Sequence, residues 1–362
     1  VTLTLAVDTV RWEEHQRRVH AQFPGLVPVC KGNGYGFGHE RLMRQASRLG
    51  MDLVAVGTVQ EAARAEDLHA GDLLVLTPYR TWEAPVALSD RTIRVVSSPH
   101  DLTGLDGRRV VVELMTSMKR HGLTRDHLPL LREAMGAWRF EGFTLHLPLK
   151  RVDGLGGAEE VAAWVRCLRE ARLPTGQIFV SHLSPGELEA LRAEFPRSVF
   201  RLRTGTKLWL GDPGATRYRS EVLDVVHLRR GDRPGGGGRR VASDRYHVLV
   251  SGGTSHGIGL RAPALLSGFR ARKRHLAGLG YTALNRHLSP FVWDGERRRF
   301  ARPPELQHSV LEIPVTARPP RAGAELAVQL RYTTTRPDRV VEEPGIAPVA
   351  DTGGAARSRT RE

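Results

Sequence analysis

Short apolar runs alternate with amphipathic stretches along the first two hundred residues. The runs fall at Leu3–Val7, Val27–Cys30, Leu53–Val56, Asp72–Leu76, Ile93–Val96, Val110–Leu114, Phe140–Leu145, Gln177–Val180 and Val199–Arg201. They are rich in Val, Leu and Ile and are not strictly alternating, the pattern of parallel strands buried on both faces. Between them, apolar positions recur at helical spacing over Thr9–Gln22, Glu40–Leu49, Val59–Glu66, Leu128–Met135, Ala158–Ala171 and Pro185–Glu194. Strands alternating with helices predict an α/β sheet. Eight or nine such units over about 210 residues fit a (β/α)8 barrel better than an open sheet.

The pattern changes after Gly211-Asp212-Pro213-Gly214. Helix signals thin, and strands bounded by turn residues take over at Glu221–Leu228, Tyr246–Ser251, Ser309–Val315, Leu326–Arg331 and Arg339–Glu342. Glycine and proline mark the joints, most densely at Arg233-Pro234-Gly235-Gly236-Gly237-Gly238. The chain is therefore expected to carry a barrel over 1–215 and a mostly β second domain over 216–345. A Gly-, Ala-, Pro- and Arg-rich tail over 346–362 is expected to be disordered.

Composition adds bounds. With 362 residues, 40% of them hydrophobic, a large core is within reach and global disorder is excluded. No apolar stretch has the length of a bilayer span, and the N-terminal residues do not read as a signal peptide. Cys30 and Cys167 form neither a disulfide framework nor a metal-ligand pattern. A cytoplasmic protein with no metal and no membrane partner is expected. The formal net charge of +15 raises the question of nucleic acid. The arginines are scattered rather than gathered on one periodic face, and at 6% aromatics there is little surface for stacking bases. An attraction for anionic small molecules accounts for the charge at least as well.

Lysine is rare: of 54 basic residues only Lys31, Lys119, Lys150, Lys207 and Lys273 are lysines. One of them ends an apolar run in Val29-Cys30-Lys31-Gly32-Asn33-Gly34-Tyr35-Gly36-Phe37-Gly38, where glycine then occupies every second position. This is a poor helix. It also misses the G-x-G-x-x-G dinucleotide pattern, because Phe37 stands where the third glycine belongs. It suits a strand end opening into a tight loop whose glycines let backbone approach a ligand. In barrel enzymes the active site lies at such strand ends.

The run resembles the lysine motif of the alanine racemase family, whose lysine holds pyridoxal 5'-phosphate (PLP) as a Schiff base. Val56-Gly57-Thr58-Val59-Gln60-Glu61-Ala62 resembles the strand-to-Glu-Ala step that follows in that family. The resemblance implies that Lys31 anchors PLP and serves as base on one face of the substrate, with Tyr35 touching the phosphate or the ring. It continues in order. Met115-Thr116-Ser117-Met118-Lys119-Arg120-His121-Gly122 is similar to a Thr-Gly-Met-x-Arg-x-Gly strand end, which implies that Arg120 binds near the phenolic oxygen. Glu113 falls where many racemases have a carbamylated lysine, and implies a direct, charge-assisted Arg120–carboxylate pair. Phe143-Thr144-Leu145-His146 resembles the strand whose histidine packs beside the pyridine ring. Within Ser181-His182-Leu183-Ser184, Ser184 is the better match to a phosphate-binding serine. Arg203-Thr204-Gly205-Thr206 resembles a segment whose arginine faces the pyridine nitrogen and whose following backbone, here Gly205 and Thr206, binds phosphate.

The likeness frays in the second domain. The family's opposite-face base is a tyrosine in a Gly-Tyr-x-Asp-Gly motif, supplied by the partner subunit of a head-to-tail homodimer. The counterpart here is Gly253-Thr254-Ser255-His256-Gly257, with Thr254 at the tyrosine position and His256 at the aspartate. A threonine hydroxyl is too weakly acidic to shuttle a proton alone, whereas a histidine has the pKa for general acid–base work. Either His256 serves, or the opposite-face base is absent. Glu305-Leu306-Gln307 and Gly323-Ala324-Glu325-Leu326 are partial matches further on. The resemblance implies a PLP-dependent racemase acting on a small amino acid. Two alternatives stay open: a PLP enzyme of the same fold with one-face, elimination, aldol or decarboxylation chemistry, and a PLP-binding protein without turnover.

Overall fold

Eight of the apolar runs become the strands of one closed parallel barrel in the computed structural model of the chain, which describes residues 2–149, 156–235, 240–260 and 287–346. The strands are β2 (Val27–Cys30), β3 (Leu53–Val56), β4 (Asp72–Val75), β5 (Thr92–Val96), β6 (Arg109–Glu113), β7 (Arg139–Leu145), β8 (Gln177–Val180) and β9 (Val199–Thr204). Each pairs with the next, and β9 returns to β2. The helices between them are α2 (His39–Arg48), α3 (Val59–Ala65), α4 (Leu128–Ala134), α5 (Gly157–Glu170) and α6 (Pro185–Glu194), with α7 (Thr206–Leu210) after β9. The β4–β5 and β5–β6 connections have no α-helix, in line with the lack of helical periodicity there.

Alternation along each strand decides what fills the barrel. Val27, Val29, Leu53, Ala55, Leu74, Ile93, Val95, Val111 and Phe179 form one buried cluster. Burying each large aliphatic or aromatic side chain is worth about 1.5–3 kcal/mol. At the N-terminal end of the strands, ion pairs take over. Arg109 bridges Asp72 (2.6 and 2.7 Å) and Glu141 (2.5 Å), and Arg201 reaches Asp52 at 2.5 Å.

The first apolar run departs from expectation. β1 (Leu3–Val7) is not a barrel strand: it pairs antiparallel with β10 (Thr216–Leu228) and parallel with β16 (Arg339–Glu342). Among the described residues, those from Glu13 to Gly211 form one compact unit, and those up to Trp12 together with those from Asp212 form the other. The boundary falls within α1 (Thr9–Gln22). The second unit also holds β11 (Arg245–Ser251), β12 (Leu288–Trp293), β13 (Glu296–Phe300), β14 (His308–Pro314) and β15 (Glu325–Val328). Hydrogen bonding runs β10–β11–β14–β13–β12–β15 and back to β10, so six of these strands close on themselves and leave few open edges. Two of them, β12 and β13, are additional to the expected set. Asp294 and Gly295, both at positive φ, make the tight turn between them. The expected tail lies, from residue 347, outside the described residues.

Candidate active site

The inward alternation that builds the apolar core continues into polar residues at the C-terminal ends of the strands. Lys31 lies two places beyond Val29, Glu113 two beyond Val111 and Ser181 two beyond Phe179. Thr144 shares register with both Glu113 and Phe179, His146 follows it by two, and Arg203 shares register with Val27. One mouth of the barrel is thereby ringed by titratable and hydroxyl side chains.

Three elements fix the strand end that carries Lys31. Trp209 of α7 donates to Val29 O (2.9 Å), and the His39 ring of α2 lies 3.1 Å from Cys30 O. Glu61 of α3 accepts from the backbone N–H of Gly32 (2.9 Å) and of Gly57 (2.6 Å), tying β2 to β3 just past the lysine. The following loop takes a left-handed path at Gly32, Gly34, Gly36 and Gly38, which explains glycine at every second place. Tyr35 is also left-handed (φ 54°), a strained state for a tyrosine. Lys119 and His182 share this strain, each on the loop after its own strand at the same mouth. Tyr35 is buried, and its hydroxyl packs so closely on Gly205 that a Cβ there would collide with it.

Electrostatically the mouth gathers cations around one buried carboxylate. The Lys31 side chain is open to solvent at the rim, yet the walls crowd its ammonium. Desolvation first, and then repulsion from Arg120 and Arg203, hold its pKa below the ordinary lysine value, with Glu61 opposing. His146 is pushed down to about 3 by desolvation and then by Arg203, Arg120, His182 and Lys31. It is therefore a neutral ring, 3.1 Å from Ser181 Oγ. Arg203 is buried with Nε and Nη2 unpartnered, and the buried Thr144 hydroxyl is unpartnered as well. Buried donors of this kind are costly unless something accepts from them. Arg203 beside Glu113, with Lys31 and Arg120 crowding it, and two orphaned donor groups suit a polar, anionic ligand.

Several expected roles change. Glu113 does not pair directly with Arg120: its Oε2 lies 3.0 Å from His121 Nδ1, and Arg120 Nε donates to His121 Nε2 (3.0 Å). Ser184 is exposed and caps α6, accepting from Glu187 N and donating to the Glu187 carboxylate (2.9 Å). Its hydroxyl is thus spent on the helix start, and Ser181 is the serine that closes the strand. Thr254 and His256 lie in the β unit. The Thr254 hydroxyl is directed at Glu305 O (3.4 Å). His256 is buried, accepts from Gly253 N at Nδ1 (3.1 Å) and contacts Asp338 at Nε2 (3.0 Å). With both ring nitrogens committed, it holds a turn rather than standing free as a base. The 252–255 turn lies along Glu305–Gln307 through Gly252 N to Gln307 O (2.7 Å), Thr254 N to Glu305 O (2.7 Å) and Ser255 N to Leu306 O (3.0 Å). Glu61, His121 and Ser181 were not among the expected site residues. Glu61 and Ser181 nonetheless lie in segments that the resemblance marked, and Thr58-x-x-Glu61 also reads as a helix start.

A closed parallel barrel with an appended β unit defines the architectural class. Residues 7–213 match the family described as alanine racemase, N-terminal domain. An alanine racemase from Mycolicibacterium vanbaalenii is 30% identical over 40% of this chain and 41% of its own length. One from Mycobacterium tuberculosis is 28% identical over 71% of this chain and 75% of its own. Among solved structures, an alanine racemase from Clostridium difficile superposes with a TM-score of 0.69 at 13% identity, covering 97% of this chain and 99% of that one. The Bartonella henselae enzyme, described with covalently bound pyridoxal phosphate, gives 0.68 at 14% identity over 95% and 100%. The chain belongs to the alanine racemase family.

Proposed function

We propose that this chain is a PLP-dependent amino-acid isomerase of the racemase type, with Lys31 as cofactor anchor and as base on one face of the substrate. The observation that carries the reading is Lys31 at a barrel strand end, its ammonium destabilised by crowding and by Arg120 and Arg203. A lysine tuned down in this way offers a larger neutral fraction, which is what bonding to an aldehyde and taking up a proton both require. Bound PLP supplies an electron sink that acidifies the substrate's α-proton. Tyr35 with the Gly205–Thr206 turn would hold the phosphate, and neutral His146 would lie against the ring. Arg203 fits the pyridine nitrogen, since its free Nε and Nη2 are buried and await an acceptor. A donor-only, permanently charged guanidinium would favour an unprotonated nitrogen there and so moderate the sink. Arg120, next to Glu113 and His121, would bind the phenolic oxygen. The substrate would be a small amino acid, and the assembly a head-to-tail homodimer.

One observation favours a second reading. The residues in the family's opposite-face position, Thr254 and His256, are both engaged inside the β unit. A single base at Lys31 would support proton exchange with retention, or related one-face chemistry. Incubation of the PLP-loaded chain with L- or D-alanine and a panel of small amino acids in D2O separates the two. Deuterium at Cα with loss of optical purity is the expected result. Deuterium with retained configuration rejects racemisation and leaves the one-base reading.

A further inference from the structure

The loop after β6 makes a closed excursion. Leu123 N donates back to Glu113 O (2.8 Å) and Met115 N to Leu123 O (2.9 Å), so residues 115–122 leave the strand and return to its own end. Gly122 (φ 133°) passes so close to the Leu114–Met115 peptide that a Cβ would lie 2.5 Å from it. That return places His121 over the Glu113 side chain. From outside, Trp164 Nε1 donates to Met115 O (3.0 Å), and Glu160 accepts from Ser117 N (2.5 Å) and Ser117 Oγ (2.9 Å). Thr116 Oγ1 donates to His146 O (2.7 Å). The loop is rigidly held, with Arg120 exposed at its rim.

We propose that His121 is a positioning residue that relays the buried charge of Glu113 to Arg120, so that a neutral imidazole does here what a direct carboxylate–arginine pair would do. The distances set its tautomer. Arginine has only donors, so His121 Nε2, 3.0 Å from Arg120 Nε, is an acceptor and bears no proton. The proton of the neutral ring is then on Nδ1, 3.0 Å from Glu113 Oε2, where a carboxylate stabilises it. That contact is a charge contact and not a hydrogen bond, since the buried Nδ1 has no hydrogen-bond partner. Glu113 is almost fully enclosed and Arg120 is not, so the relay carries a fixed interior charge outward to the guanidinium. The consequence for ligand binding rests on the reading of Arg120 as a cofactor contact.

Two measurements test it. Ring-nitrogen NMR on histidine-labelled chain without cofactor should show His121 as the Nδ1–H tautomer, with the Nδ1 resonance displaced in Glu113→Gln while Nε2 stays unprotonated. A proton on Nε2, or no response to Glu113→Gln, overturns the relay whatever the cofactor does. Equilibrium PLP binding, followed by the visible absorption of the bound cofactor, should weaken about tenfold or more in His121→Leu, as loss of a hydrogen bond to a charged group predicts. His121→Gln, whose amide can donate to Glu113 and accept from Arg120, should stay close to the parent. Glu113→Gln/His121→Leu should be no weaker than the weaker single variant. Effects that multiply, or a His121→Leu chain with unchanged affinity and spectrum, contradict the proposal. A parent chain that takes up no PLP overturns the binding half and the cofactor reading together, and the tautomer result tells that failure from failure of the relay.

Discussion

His146 is held among cations, and this gives the site a pH signature. An unfolded histidine takes up its proton near 6.5, whereas the folded ring resists protonation down to about 3. Between those values the unfolded state binds more protons, so folding stability falls as pH drops from about 6.5 towards 3. Above 6.5 the ring is neutral in both states and adds no slope. His39, His69 and His247 are also lowered by burial and contribute in the same direction. We therefore expect His146→Gln to flatten, without abolishing, the loss of thermal stability across that window. NMR titration should find the His146 ring still neutral at pH 5. A ring titrating near 6.5 would contradict the cationic surroundings assigned to it. At this scale the sequence marks Lys31 by its scarcity and its place at a strand end and Arg203 by the family resemblance, and the fold brings both to one barrel mouth. The sequence does not expose His121, Ser181 or the reach of Glu61, whose parts depend on which loop folds back on which strand.

Short elements show how a side chain can serve the fold while standing in line with the site. Ser184, Pro185 and Glu187 make a capping box at the start of α6, with the Ser184 hydroxyl on Glu187 N (3.3 Å) and the Glu187 carboxylate on Ser184 N (2.8 Å). Ser184→Ala should cost about 1 kcal/mol of stability, the usual worth of an N-cap. PLP affinity, measured in parallel, should not change, and a clear fall would return Ser184 to the cofactor. The barrel strands were legible because each is an apolar run buried on both faces, and their limits fall within a few residues of those expected. The sheet to which Leu3–Val7 belongs was not legible. Its run looks like any barrel strand, and its partners, Thr216–Ser220 and Arg339–Glu342, lie more than two hundred residues away. The β12–β13 hairpin is hidden by Glu296-Arg297-Arg298-Arg299, which reads as solvated surface, although the Asp294-Gly295 pair is a strong turn signal.

Taken as a whole, the chain couples a family barrel with a β unit whose Thr254 and His256 are held by contacts within that unit. Its charge is partly structural: Arg109, Arg201, Arg219 and Arg245 each face one or more carboxylates within their own unit. What remains at the barrel mouth is the surplus formed by Lys31, Arg120 and Arg203. Among the described residues no group of three metal-ligating side chains competes with it, and no helix is long and apolar enough to cross a membrane. The account stands on Lys31 being the residue that holds the cofactor, and the scarcity of lysine makes that claim sharp. Borohydride reduction of the PLP-loaded chain, followed by peptide mass mapping, fixes the cofactor to whichever amine carries it. The predicted result is a single phosphopyridoxyl group on Lys31, absent in Lys31→Ala. Labelling of Lys119, Lys150, Lys207 or Lys273 in its place, or no labelling at all, would contradict the account.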